Sequence, residues 1–257
     1  MSENIKHKVI VMSGKGGVGK STVAVNIAVG LALNGLDVGL MDIDIHGPNI
    51  PKMLGIEDAK IHSRYNKIIP ISYGENLKVI SVGFLLPKQD DPVIWRGPLK
   101  TNLIRQFIEQ TDWGSLDYLI IDSPPGTGDE PLSVIQLFKG LDGAVIVTTP
   151  QEVSLLDSRK AINFARALNI PVLGVVENMS GFVCPNCGTV TEIFKSGGGE
   201  KTAQEMGVPF LGKIPIEPNI VMSSDEGKPY IYFYNRMKSS NAFEEIIAKI
   251  RKALEVS

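Results

Sequence analysis

The sequence predicts an α/β fold in which a mostly parallel central sheet is flanked by helices. Seven short runs of β-branched and other apolar residues recur along the 257 residues, and segments with helical spacing lie between them. The runs are apolar throughout instead of alternating with polar residues, which is typical of parallel strands buried on both faces. No linker, repeat or low-complexity tract interrupts this pattern, so we expect residues 1–257 to form a single domain.

Strands and helices alternate along the chain. The predicted strands are residues 8–13, 38–44, 77–83, 117–122, 143–149, 171–178 and 209–215. Helices are predicted over residues 21–33, where Val23, Ile27 and Leu31 recur at helical spacing, and around residues 99–109. Sheets of this kind bind ligands at the carboxyl ends of their strands, so we expect the functional residues there.

The apolar spacing in residues 242–256 predicts a C-terminal helix with one apolar face. Its apolar residues at helical spacing are Phe243, Ile246, Ile247, Ile250 and Leu254. The polar face mixes Glu244 and Glu245 with Lys249 and Lys252, whereas a helix that lies on a membrane surface would be more basic. We therefore expect this helix to pack on the sheet.

Composition argues against several classes of partner. The formal net charge is −2 and no basic block occurs, so we expect no nucleic-acid partner. The start of the chain does not read as a signal peptide, and no apolar stretch is long enough to span a bilayer. Two cysteines do not make a disulfide framework. These features predict a cytoplasmic protein with no membrane partner.

A phosphate-binding loop follows the first predicted strand. Gly14, Gly19, Lys20 and Ser21 match the pattern G-x-x-x-x-G-K-[ST], and the pattern lies between a strand and a helix, as such loops do. Glycines allow backbone N–H groups to turn toward phosphate oxygens, and the helix N-terminus adds positive potential. Lys20 should reach the β- and γ-phosphates and Ser21 should bind Mg²⁺. The pattern therefore predicts a three-layer P-loop NTPase fold.

Carboxylates follow two other predicted strands. Asp122 ends a strand and is expected to hold Mg²⁺, while the following Gly126 can offer a backbone N–H to the γ-phosphate. Asp42 and Asp44 end the second strand, where alternation would place both on one face. We expect Asp44 to orient the attacking water. For Asp42 two roles stay open: a place in the outer coordination shell of Mg²⁺, or a structural role in the turn after the strand.

The loop also contains a second lysine, and here it resembles a known family. KGGVGKST looks like the deviant Walker A motif, K-G-G-x-G-K-[ST], of MinD, ParA, the nitrogenase iron protein, the arsenite-pump ATPases and the Mrp/ApbC iron–sulfur carriers. The resemblance implies that the first lysine, Lys15, acts catalytically across a homodimer together with Lys20. The nucleotide-binding residues it implies are Gly14, Lys15, Gly16, Gly17, Val18, Gly19, Lys20, Ser21 and Thr22.

Further stretches resemble the Mrp/ApbC type of ATP-binding iron–sulfur cluster carrier in particular. They are DIDIHGPNIPKMLG (42–55), WRGP (95–98), IDSPPGTGDE (121–130), ENMSGFVCPNCG (177–188) and GGGE (197–200). The resemblance also implies an adenine site made of Asn178, Pro215, Ile216 and Glu217. It leaves His46, in the first stretch, without an assigned role.

Cys184 and Cys187 form a C-x-x-C pair in a loop of about residues 179–196. A stable iron–sulfur or zinc site usually has four ligands, so a two-fold dimer would complete it with the same pair from each subunit. From the residues alone, a redox pair, a shared zinc site or a metal-free loop stays open. The resemblance implies a bridging 4Fe-4S cluster.

These observations together predict a slow ATPase, with ATP, Mg²⁺ and an iron–sulfur cluster as cofactors. As a homodimer it would transfer the cluster to apo-proteins. The alternatives are a MinD/ParA-like spatial-organising ATPase and a zinc-bridged nucleotide-binding dimer. A nitrogenase-like reductase is disfavoured, because that family takes its cluster cysteines from two separate positions in each subunit.

Overall fold

A central sheet organises the described part of the chain, which in the computed structural model comprises residues 4–85, 97–184, 186–234 and 238–255. The strands are β1 (Ile5–Met12), β2 (Val38–Asp42), β3 (His62–Arg64), β4 (Lys67–Ile69), β5 (Ile71–Tyr73), β6 (Leu77–Ser81), β7 (Leu116–Asp122), β8 (Gly143–Thr148), β9 (Val172–Glu177), β10 (Phe182–Val183), β11 (Val190–Thr191) and β12 (Phe210–Lys213). The helices are α1 (Lys20–Leu33), α2 (Ile50–Leu54), α3 (Gly97–Gln110), α4 (Asp129–Ile135), α5 (Glu152–Ala167), α6 (Gly198–Glu205), α7 (Pro218–Asp225), α8 (Tyr230–Phe233) and α9 (Lys238–Glu255).

Eight of these strands form one sheet in the order β12-β9-β8-β1-β7-β2-β6-β5. Every neighbouring pair is parallel except β5 and β6, which are antiparallel. The mostly parallel sheet with helices is confirmed, and all seven predicted strands are present. The sequence patterns missed β5 and the small hairpins β3–β4 and β10–β11, because strands of two or three residues carry no usable periodicity.

Both faces of the sheet are covered by apolar side chains. Along β1, Val9 belongs to the core shared with Ile27 of α1, and its neighbour Ile10 belongs to the opposite core with Phe107 of α3. Successive residues of a strand point to opposite faces, so burial on both faces requires the continuous apolar runs seen in the sequence.

Helix α9 packs on the sheet as the sequence predicts. Phe243, Ile246 and Ile250 are fully buried, and the core that contains them also contains residues of α1 and β12. In the part of the chain that the structure describes, no helix combines the length and apolar character needed to cross a membrane.

Candidate functional site

The phosphate loop connects β1 to α1 and depends on left-handed glycines. Gly17 has φ 79° and Gly19, which caps the N-terminus of α1, has φ 83°. L-residues with a side chain rarely adopt this conformation. A Cβ at Gly19 would also collide with the side-chain amide of Asn178. The loop geometry therefore requires glycine at these positions.

The carboxylates beside the loop are set by the register of the sheet. Asp42 of β2 lies directly opposite Asp122 of β7, and both side chains are fully buried. Asp42 accepts hydrogen bonds from the Ser81 hydroxyl (2.7 Å) and from the backbone N–H of Asp44 (3.2 Å). The predicted strand over 38–44 ends at Asp42, so the loop and not strand alternation positions Asp44.

Lys20 lies among these carboxylates. Its Nζ is 2.6 Å from Asp122 Oδ1 and 3.4 Å from Asp44 Oδ2. Burial lowers the pKa of Lys20, but the charges of Asp122 and Asp44 outweigh burial, so the pKa lies above its ordinary value. Burial, together with the Asp122 charge, raises the pKa of Asp42 well above its ordinary range. The buried cluster therefore contains more carboxyl groups than cations.

The donor set fits a hard cation such as Mg²⁺. Ser21 Oγ donates to Asp122 Oδ2 at 2.6 Å, so the hydroxyl and the carboxylate lie next to each other. Asp44 Oδ1 is buried, and no hydrogen-bond partner for it occurs among the residues that the structure describes. Oxygen ligands and excess negative charge are what Mg²⁺ prefers. Burial also raises the pKa of Asp44, although Lys20 opposes this.

A cavity of about 360 Å³ opens in front of the loop. Its lining includes Lys15, Lys20, Asp44 and His46. The Lys15 ammonium has no ion-pair partner within the described ranges, whereas His46 Nε2 is 2.7 Å from Glu130 Oε2. The phosphate-loop residues, Asp44 and the unassigned His46 are thus brought to one cavity.

The residues proposed for the adenine site lie outside the phosphate cavity. Asn178 Nδ2 donates to the Val18 carbonyl at 2.9 Å and so contacts the phosphate loop directly. The Ile216 N–H donates to the Gly181 carbonyl at 2.7 Å, and Glu217 accepts from the Tyr230 hydroxyl at 2.8 Å. Neither Asn178 nor the 215–217 segment is part of the lining of the phosphate cavity.

The structure does not bear out the role expected of Gly126, and it does not describe part of the WRGP stretch or the residue between the cysteines. The Gly126 N–H donates to the Ser13 carbonyl at 2.8 Å, so in this conformation it is not offered to a phosphate. Trp95 and Arg96 of the WRGP stretch lie outside the described residues, as does Pro185 between the two cysteines.

The cysteine pair lies at the turn of the β10–β11 hairpin. Cys184 is half-buried, Cys187 is exposed, and both are free thiols. The Cys184 N–H donates to the Thr189 carbonyl at 3.0 Å, and the Gly188 N–H donates to the Cys184 carbonyl at 2.9 Å. Cys187 Sγ donates to Thr189 Oγ1 at 3.3 Å, and hydrogen bonding with the Thr189 side chain and backbone lowers the pKa of Cys187 from its ordinary value. The turn therefore makes the thiolate of Cys187, the form that binds metals, easier to form.

Sequence reasoning missed Glu177, which ends β9 directly before the cysteine loop. Its side chain is fully buried and accepts hydrogen bonds from Ser180 and from the backbone of residues 197 and 199. An acidic residue at the end of an apolar strand was the available signal, and the ENMSG and GGGE stretches contain both sides of this contact.

Comparisons with known proteins agree with this arrangement. A family model described as NUBPL iron-transfer P-loop NTPase, of the ParA group, matches residues 4–251. A curated relative from Methanocaldococcus jannaschii, called iron-sulfur cluster carrier protein, is 53% identical over 251 residues, which cover 98% of this chain and 86% of the relative. A protein of the same description from Saccharolobus solfataricus is 50% identical over 253 residues, with 98% and 86% covered.

Solved structures place the fold in the same group. A nucleotide-binding protein from Archaeoglobus fulgidus, solved in complex with ADP and with cobalt, has a TM-score of 0.80 and 42% identity, covering 90% of each chain. The septum site-determining protein MinD from Pyrococcus horikoshii, complexed with Mg-ADP, has a TM-score of 0.73 and 23% identity over 98% of each chain. At that identity, the MinD likeness concerns the fold alone.

Proposed function

This chain belongs to the NUBPL iron-transfer P-loop NTPase family, and on that premise we propose that it is an ATP-hydrolysing iron–sulfur cluster carrier. In this proposal residues 1–257 act as one domain, two copies hold a 4Fe-4S cluster between them, and the cluster passes to apo-proteins. Hydrolysis is slow and coupled to loading or transfer. The free thiols suit a reducing cytoplasm.

The observation that carries this proposal is the isolated thiol pair. Within the described ranges, no group of three or more His, Cys, Asp or Glu side chains could hold a metal ion. Cys184 and Cys187 thus offer two ligands on a partly exposed turn, and a second copy of the chain supplies the other two by symmetry. The names of the curated relatives support an iron–sulfur cluster as the cargo.

The phosphate loop, residues 14–22, is assigned to the phosphates of ATP. Lys20 neutralises charge on the β- and γ-phosphates, and Ser21 and Asp122 would hold Mg²⁺, whose chemistry there is to neutralise charge on the phosphate oxygens. Asp44 accepts a hydrogen bond from the attacking water and orients it, which its buried and unpartnered Oδ1 supports.

Lys15 is assigned to the nucleotide of the facing subunit. Its lack of an ion-pair partner within the described ranges supports a role that is completed only in the dimer. A cation supplied across the interface stabilises the charge that develops at the γ-phosphate, as an arginine finger does. Asn178, Pro215, Ile216 and Glu217 are assigned to the adenine side, because Asn178 already contacts the phosphate loop.

Anaerobic reconstitution with iron and sulfide tests the proposal. We expect a brown chromophore, equal amounts of iron and sulfide, and a dimer by light scattering. Cys184→Ser should abolish all three results, while the control Glu192→Gln, at an exposed position in the same loop, should leave them intact. A chromophore that survives in Cys184→Ser, or a metal-loaded monomer, contradicts the proposal. Zinc in place of iron in the purified protein favours the zinc-bridged alternative.

A further inference from the structure

One buried carboxylate holds both ends of the cysteine loop. Glu177 Oε1 accepts from the Ser180 hydroxyl at 2.5 Å, at the start of the loop, and from the Gly197 N–H at 2.8 Å, at its end. Its Oε2 accepts from the Gly199 N–H in the first turn of α6. The Ser180 and Ser196 hydroxyls are 2.9 Å apart, which adds a direct link between the two ends.

The glycines at the end of the loop allow this contact. Gly197 has φ +86°, which favours glycine, and its N–H points at Glu177. A Cβ on Gly199 would lie 2.9 Å from the Glu177 Cβ and 3.0 Å from its Oε2. The N-terminus of α6 can therefore approach the carboxylate only because these residues lack side chains. The positive end of the helix also favours the negative charge.

Asn178, which follows Glu177 directly, connects the end of β9 to the phosphate loop. The Asn178 N–H donates to the Thr148 carbonyl at 2.8 Å, which fixes its backbone at the end of β8. Its side chain donates to Val18 within the phosphate loop. A change in the backbone of the phosphate loop would thus act on Asn178, and through one peptide bond on Glu177.

We propose that Glu177 is a positioning residue that couples the phosphate loop to the cysteine loop, so that nucleotide binding orders residues 179–196 within a single chain. Its relevance to cluster handling rests on the proposed function, but the coupling itself does not require a cluster. The coupling operates through hydrogen bonds within one subunit, in addition to any change in how two subunits approach each other.

Hydrogen–deuterium exchange on the metal-free full-length protein tests the coupling. In the wild type, saturating Mg-ADP should slow exchange in residues 14–22 and also in residues 179–196. In Glu177→Gln and in Ser180→Ala, protection of residues 14–22 should persist while the nucleotide-dependent protection of residues 179–196 is lost. Exchange of this loop without nucleotide should also be about tenfold faster in Glu177→Gln, since the charge that holds Ser180 and Gly197 at the two ends of the loop is lost.

Matched controls separate coupling from general loosening. Asp142→Asn removes a carboxylate that accepts the Lys8 N–H at 2.7 Å, and Ser223→Ala removes a hydroxyl that donates to a carbonyl in α7 at 2.9 Å. Both should retain the ADP response of both loops. Ser180→Ala leaves no unpaired buried charge, so it keeps the test decisive if Glu177→Gln fails to fold.

Two results overturn the coupling while leaving nucleotide binding in place. One is an ADP response of residues 179–196 that is unchanged in both variants. The other is a wild type in which ADP protects only residues 14–22. Protection of neither loop overturns the coupling together with nucleotide binding. If ADP protects both loops as expected but reconstitution with iron and sulfide fails, the coupling stands and the proposed carrier function is contradicted.

Discussion

Removing the cation of the buried cluster should destabilise the protein strongly. Lys20 and Asp122 pair at 2.6 Å with side chains 6% and 1% exposed, and Asp44 is at 3.4 Å from the same ammonium. Lys20→Met keeps the apolar stem but leaves these carboxylates without their counter-charge. Removing one partner of a buried pair costs about 3–5 kcal/mol, so we expect a loss of that size in the free energy of unfolding.

The chain contains a matched control for burial. Lys6 and Asp117 also pair at 2.6 Å, but their side chains are 71% and 22% exposed. Lys6→Met should therefore lower the free energy of unfolding far less than Lys20→Met does, because exposed pairs are solvated and screened. The two lysines lie at the same distance from their nearest carboxylate oxygen, but Lys20 is buried and has a second carboxylate nearby.

Urea unfolding in EDTA without nucleotide measures both losses. Burial raises the pKa values of Asp42 and Asp44 in the folded state, so the folded chain binds protons more tightly than the unfolded one. Stability then falls as pH rises above the unfolded carboxyl pKa. The Lys20→Met loss should be smaller at about pH 5 than at about pH 7.5, because protonated carboxyl groups need no counter-charge.

The double variant Lys20→Met/Asp122→Asn gives the sharpest refutation. Asp122→Asn removes a charge that the lysine no longer balances, so the double variant should be more stable than Lys20→Met alone by about 1–3 kcal/mol. Strict additivity of the two single losses would refute the electrostatic reasoning. Equal effects of Lys20→Met and Lys6→Met would refute it as well.

Three further outcomes test other parts of the structure. Phe243→Ala should lower the free energy of unfolding by about 3–5 kcal/mol in urea, while Glu244→Ala on the exposed face should change it by less than about 0.5 kcal/mol; equal effects would contradict the packing of α9. Asp44→Asn should lower the ATP turnover number about 100-fold or more with ADP affinity retained in calorimetry, and unchanged turnover would exclude it as the residue that orients water. Thr189→Val should move iodoacetamide alkylation of Cys187, followed by mass spectrometry, to higher pH, because it removes a hydrogen bond that lowers that pKa; an unmoved profile would assign the lowered pKa to other groups.

The parallel sheet and the phosphate loop could be predicted because their signals are local. Continuous apolar runs indicate strands buried on both faces, and the glycines of the loop are required by backbone conformation. Asp122 was found for the same reason, since its position follows from the end of an apolar run. The helix α9 was also predictable, because its apolar spacing spans several turns.

Contacts between segments that are distant in the sequence could not be predicted from it. Alternation suggested that Asp42 and Asp44 share a face, but β2 ends at Asp42 and the two carboxylates have different partners. The Glu177 contacts join residues about twenty positions apart. Neither fact follows from periodicity, because each depends on how loops fold back onto the sheet.

The opposition of Asp42 and Asp122 across β2 and β7 has a consequence for insertions and deletions. Adding or deleting one residue inside either strand would carry its aspartate to the other side of the sheet, while the apolar composition of both strands would still allow pairing. A chain altered in this way in β7 would keep its helices and its glycine loop but lack the Asp122 carboxylate, which lies 2.6 Å from Lys20 Nζ. Among relatives, a one-residue change in length inside β7 is therefore expected to separate the Ser21 hydroxyl from the carboxylate that accepts its hydrogen bond, whatever the overall identity.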